Sequence, residues 1–194
     1  MNKELNPIEQ LFKQNKGYLH TACLDKNRAM YYALQELIAQ KHVVKIKVGF
    51  YKHLELVQEN EAMEVSKMYP QAVVCLESAW FQYNLTTHIP STYHLAFSNK
   101  TKVKLEDYPP VKAYYWSERL QQLEVIELDG IKTYSLEKSV CDAIKFRNKI
   151  GLDTMKTILK NYLKRKDKDL SKLFRVAKVM KMEILLREYL TLIQ

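Results

Sequence analysis

Val43-Val44-Lys45-Ile46-Lys47, then Val48-Gly49, then Phe50-Tyr51-Lys52-His53 restrict the fold more than any other stretch of the chain. Two short β-prone segments meet at a glycine directly behind an amphipathic helix. That helix runs from Arg28 to about Gln40 and repeats Met30, Ala33, Leu34, Leu37 and Ile38 at helical spacing, so one face is apolar. Its opposite face shows Arg28, Tyr31, Tyr32 and Gln35. Upstream, Gly17-Tyr18-Leu19-His20 leaves a first helix. Thr21-Ala22-Cys23-Leu24 has the length of one or two helical turns, with Thr21 as N-cap. Asp25-Lys26-Asn27 is a turn whose Asn27 caps the next helix. The first helix opens with Asn6 at N-cap, Pro7 at N1 and Glu9 at N3, and buries Ile8, Leu11 and Phe12. A short helix, a turn, a longer helix and a basic hairpin predict a winged helix-turn-helix over residues 1–56. Its second helix suits a major groove, and its hairpin suits a phosphate backbone.

Residue chemistry narrows the candidate DNA-binding set to Asn27, Arg28, Tyr31, Tyr32, Gln35, Lys45, Lys47 and Lys52. Arg28 and Gln35 lie off the apolar stripe. In a major groove arginine reads guanine and glutamine reads adenine, and either can instead touch phosphate. Tyr31 and Tyr32 can face the groove or complete the small core. The three lysines of the hairpin suit backbone contacts.

Residues 57–194 predict a second, mixed domain, making the chain α+β: a small sheet over 92–134 and a helical bundle over 135–194. A helix to about Tyr69 stops at Pro70, and Leu76–Tyr83 reads as a mostly buried helix. Tyr93–Phe97 and the aromatic run Val111–Trp116 read as strands. Asp129-Gly130 between Val125–Leu128 and Ile131–Tyr134 is a tight-hairpin signal. After Ser135 the apolar stripes are helical throughout.

Charge and chemistry bound the function. The net charge is +9, and Lys138–Lys181 alone holds 14 Lys/Arg against 4 Asp/Glu, so the rest of the chain is close to neutral. A surplus of this sign favours polyanionic partners. The basic C-terminal stretch is open to two readings, a solvated helix face or a phosphate-contacting surface. The composition, 47% hydrophobic and 27% charged, is that of a folded soluble protein, and no apolar run approaches a membrane span. The N-terminus leads into a polar helix, not a signal peptide. Cys23, Cys75 and Cys141 lie far apart and read as reduced thiols of a cytoplasmic protein.

Catalytic motifs are not found. The four glycines (Gly17, Gly49, Gly130, Gly151) are too scattered for a phosphate-binding loop, and the five histidines show no metal-ligand spacing. Glu106, Asp107, Glu118, Glu124, Glu127 and Asp129 are the candidate carboxylates for a metal-dependent nuclease; they sit at strand ends, where exposure explains them. The expectation is a protein that is not an enzyme and needs no metal or cofactor. The alternatives are a nuclease or other nucleic-acid enzyme targeted by the winged helix, and a winged helix that binds protein only.

Several segments resemble the AbiEi-type antitoxins of abortive-infection, type IV toxin–antitoxin systems. In the first domain these are Gly17-Tyr18-Leu19 with Thr21-Ala22, Tyr32-Ala33-Leu34-x-x-Leu37, and Val44-x-Ile46-x-x-Gly49-x-Tyr51. In the second they are Leu76-Glu77-Ser78-Ala79 with Tyr83-Asn84-Leu85, and Tyr134-Ser135-Leu136-Glu137-Lys138-Ser139-x-x-Asp142. Lys138 and Ser139 stand where Arg and Thr are more usual, and Lys41-His42 replaces a usual glycine. The resemblance implies a non-enzymatic transcriptional regulator and antitoxin that represses its own operon through inverted repeats. It also implies a neighbouring nucleotidyltransferase-like toxin that it counteracts, and a basic second domain that helps bind DNA. The signature residues Ser78, Ser135, Glu137, Lys138, Ser139 and Asp142 read locally as structural. Ser135 caps a helix, Glu137 suits its positive end, and Lys138–Asp142 is an i, i+4 pair.

Overall fold

The computed structural model describes residues 6–57 and 60–193. The protein is α+β: the described residues form ten α-helices, one 3-10 turn and two small sheets. The chain divides into two compact units, residues 1–68 and 69–194. The division falls after the helix that follows the hairpin.

In the first unit, α1 (Pro7–Gln14) starts with a full capping box. The Asn6 side chain accepts from the Ile8 amide, and the Asn6 amide donates to Glu9 at 2.9 Å. Gly17 follows at φ +87°, and a Cβ there would come within 2.6 Å of the Val57 backbone. Only glycine permits this approach. Tyr18–His20 form a strand, β1, which the sequence did not announce, and Thr21–Leu24 form only a 3-10 turn with no side-chain cap. Thr21 therefore does not act as an N-cap. Asn27 caps α2 (Arg28–Ala39) through the amides of Ala29 and Met30. The hairpin strands β2 (Val43–Lys47) and β3 (Phe50–His53) complete a sheet of order β1-β3-β2.

This sheet has two covered faces. Ile8, Phe12, Leu19, Leu24, Leu34, Leu37 and Val43 form the core between the sheet and helices α1 and α2. The other face is covered by α3 (Glu61–Met68), which buries Met63, Glu64, Val65 and Met68. Tyr18 and Lys52 both reach Glu64, at 3.4 and 2.6 Å, and His20 meets the Lys67 carbonyl at 2.8 Å.

The second unit holds a five-stranded sheet of order β6-β5-β4-β8-β7. Its strands are β4 (Val73–Val74), β5 (Tyr93–Ser98), β6 (Val111–Trp116), β7 (Val125–Leu128) and β8 (Ile131–Tyr134). β4 is central although only two residues long, pairing antiparallel with β5 and parallel with β8. Asp129 and Gly130 both adopt positive φ, as a tight β7–β8 hairpin requires. The remaining helices are α4 (Leu76–Gln82), α5 (Glu118–Gln121), α6 (Leu136–Lys145), α7 (Arg147–Ile150), α8 (Leu152–Lys164), α9 (Leu170–Val179) and α10 (Glu183–Ile193). α6 is buried from Leu136 to Ile144 and packs against α4, α8 and α9. Among the described residues no helix is long and apolar enough to cross a membrane.

Candidate nucleic-acid interface

Helix α2 sorts its side chains by the helical period. Leu34 and Leu37 point into the core, while Arg28, Tyr31, Tyr32 and Gln35 fall one turn apart on a single exposed strip. Tyr32 is 72% exposed and Tyr31 38%, so neither completes the core. The Tyr31 hydroxyl donates to the Thr21 carbonyl at 3.4 Å, which ties the strip to the 3-10 turn before it. Asn27 is exposed, but its side chain is engaged as the helix cap. Lys26, held at φ +57° in the preceding turn, is exposed beside Arg28. In sequence Lys26 is a turn residue, and its charge next to the cap is the one local signal of this placement.

The three hairpin lysines separate. A bulge between Lys45 and Lys47 shifts the alternation by one residue. It turns Lys47 toward the face covered by α3, where its ammonium donates to the Met68 carbonyl at 2.5 Å. Lys52 lies on the same face and pairs with the buried Glu64. These two expected backbone contacts are thus directed into the unit. Lys45 is exposed on the other side of β2, and Val48 at the tip is 84% exposed.

In the second unit the signature residues gather in the core. Ser135 caps α6 by accepting from the Lys138 amide. The Lys138 ammonium donates to both carboxylate oxygens of Asp142, at 2.6 and 2.7 Å, and each side chain is 1% exposed. The ammonium also lies 4.4 Å from the Trp116 ring centre and 4.2 Å from that of Tyr134. Burial pushes the Asp142 carboxyl above its ordinary range despite Lys138. Glu137 faces Lys172 at 3.5 Å and Tyr162 at 3.4 Å. The Ser139 carbonyl accepts from Trp80, its hydroxyl is buried without a partner, and the Ser78 hydroxyl accepts from the His94 amide.

The C-terminal basic stretch divides in the same manner. Lys138 is buried, Arg165 pairs with Asp167, and Lys172 lies between Glu124 and Glu137. Lys145, Lys160, Lys164, Lys166, Lys178 and Lys181 are exposed. The carboxylates weighed for a nuclease are dispersed: Glu118 pairs with Lys100, Glu124 with Lys172, and Glu127 and Asp129 are exposed at the hairpin. Among the described residues no three His, Cys, Asp or Glu side chains are grouped to hold a metal ion.

Compared with protein-family models and with curated proteins, the chain has no match.

Proposed function

We propose that this protein is a non-catalytic, DNA-binding transcriptional regulator whose first unit is a winged helix-turn-helix. We place it with the AbiEi-type antitoxins, repressing its own operon through inverted repeats and counteracting a nucleotidyltransferase-like toxin. The observation that carries the DNA-binding half is the strip Arg28, Tyr31, Tyr32 and Gln35, exposed on a helix whose other face is core. Such a helix, about 18 Å long, fits lengthwise in a major groove. The hairpin beside it offers Lys45 to the backbone, with Lys26 and Arg28 at the helix start. The antitoxin half rests on the resemblance of the signature segments.

Fluorescence anisotropy with duplex from upstream of the gene tests the first half, comparing wild type and Arg28→Ala from about 50 to 200 mM salt. Preferential binding over unrelated duplex, weakened by Arg28→Ala, supports the reading. Equal affinity for both duplexes, or no binding, overturns the regulator. Growth rescue when the chain is co-expressed with a neighbouring nucleotidyltransferase-like gene tests the second half; toxicity unaltered by the chain overturns it.

A further inference from the structure

The second unit carries an open cleft of about 840 Å³ that neither the signature residues nor the DNA-binding reading uses. Its apolar wall is Trp80, Tyr114, Phe146 and Ile150, with the Tyr114 and Phe146 rings edge to face at 6.3 Å. An ammonium lies over one face of each of the latter two rings: Lys112 is 5.9 Å from the centre of Tyr114, and Lys149 is 5.7 Å from that of Phe146. Glu77 and Asp153 add two carboxylates, and Thr154 and Thr157 add hydroxyls from the start of α8.

One polar cluster is built into the wall. His94 is buried at 3% exposure, and its Nδ1 meets the Tyr114 hydroxyl at 3.1 Å. Its Nε2 faces Glu77 Oε2 at 3.7 Å, and His88 approaches the same oxygen at 3.9 Å. Both distances exceed a hydrogen bond, so this carboxylate oxygen can still accept from a donor in the cleft. Leu76, at the head of α4 and lining the cleft, is buried at φ +47°. For a leucine that conformation costs about 1–2 kcal/mol, and such strain gathers at functional sites.

Chemistry selects the ligand. Flat aromatic faces accept a planar base. Ammonium groups beside those faces hold phosphate oxygens. Carboxylates accept from ribose hydroxyls, as they do in dinucleotide sites. The two ammoniums are balanced by two carboxylates, which disfavours a polyanion such as a triphosphate or a nucleic-acid strand. The volume lies within the range of small-molecule sites. We propose that this cleft binds a nucleoside monophosphate, with the base stacked on one of the two perpendicular rings of Tyr114 and Phe146 and edge-on to the other, the phosphate on Lys112 and Lys149, and the sugar hydroxyls on Glu77 and Asp153.

Isothermal titration of the full chain with AMP, GMP, CMP and UMP tests this. At least one is expected to bind with a dissociation constant of roughly 10–100 μM, and its nucleoside and inorganic phosphate alone at least about tenfold more weakly. Lys112→Ala/Lys149→Ala alters two exposed positions and is expected to retain its circular dichroism while losing about tenfold or more in affinity. Failure of all four nucleotides to bind at about 5 mM, or equal binding by the folded double variant, overturns the proposal. So does displacement of the nucleotide by duplex DNA, which would assign the lysines to a DNA surface. The cleft does not depend on the DNA-binding reading, so either can fail alone.

Discussion

Removing one member of the Lys138–Asp142 pair should be among the most damaging single changes in the second unit. Both side chains are 1% exposed, and the Asp142 carboxylate takes two short hydrogen bonds from one ammonium. Asp142→Ala leaves that ammonium with the Trp116 and Tyr134 rings and no counter-charge. Breaking such a pair costs about 3–5 kcal/mol, which for a unit of this size lowers Tm by roughly 10–20 °C. Lys138→Met should behave differently, because its cost depends on pH. Burial already raises the Asp142 carboxyl, and without Lys138 it rises further, so the native state holds a proton that the unfolded chain has released. A carboxyl raised in the folded state loses stability as pH climbs from its unfolded value through its folded one. Lys138→Met should therefore be close to wild type near pH ~4 and worst above neutrality. Lys138→Met/Asp142→Leu, with no charge left to bury, should recover most of the loss at every pH. Urea unfolding followed by tryptophan fluorescence at several pH values provides the readout. A cost for Asp142→Ala below about 1 kcal/mol, or a Lys138→Met cost independent of pH, would refute the account.

Other outcomes follow from single contacts. Gly17→Ala should lose about 2–4 kcal/mol in urea unfolding, from a positive φ and a Cβ driven onto the Val57 backbone. Gly151→Ala, with a similar φ and open space, should lose only about 1 kcal/mol. Lys45→Ala should reduce the salt slope of DNA binding by about 1, whereas Lys52→Ala should leave the slope alone and cost about 1–2 kcal/mol of stability by stranding Glu64. Equal slopes for the two variants would contradict the assignment of their faces. Burial lowers the pKa of His53 and of His94, so both stay neutral where the unfolded chain protonates. Stability should then fall as pH drops below the ordinary histidine range, and His94→Gln should remove part of that fall in acid unfolding curves.

Much of the local structure was legible because its causes lie within a few residues. Asn6 and Asn27 cap their helices through amides two or three residues on. The period of Leu34 and Leu37 decides which side of α2 is wet, and Asp129-Gly130 turns a hairpin because both accept positive φ. The candidate strip of Arg28, Tyr31, Tyr32 and Gln35 was readable for the same reason: a helix states its own faces. β1 and β4, with three and two residues, are too short to show a period.

Tertiary packing decided the rest, since burial and pairing depend on segments far apart in the chain. Lys47 and Lys52 turn inward because a bulge shifts the strand and α3 presents Glu64 and the Met68 carbonyl to that face. Lys138 and Asp142 announce a helical pair, and Tyr134 is only four residues before Lys138, but nothing near them in sequence says that β6 will bring Trp116 to the ammonium. The cleft is assembled from Glu77, His94, Tyr114, Phe146 and Asp153, which only the folded sheet and helices bring together. Backbone propensity and periodicity act over one or two turns, whereas the surroundings of a charge are chosen by whichever distant element packs against it.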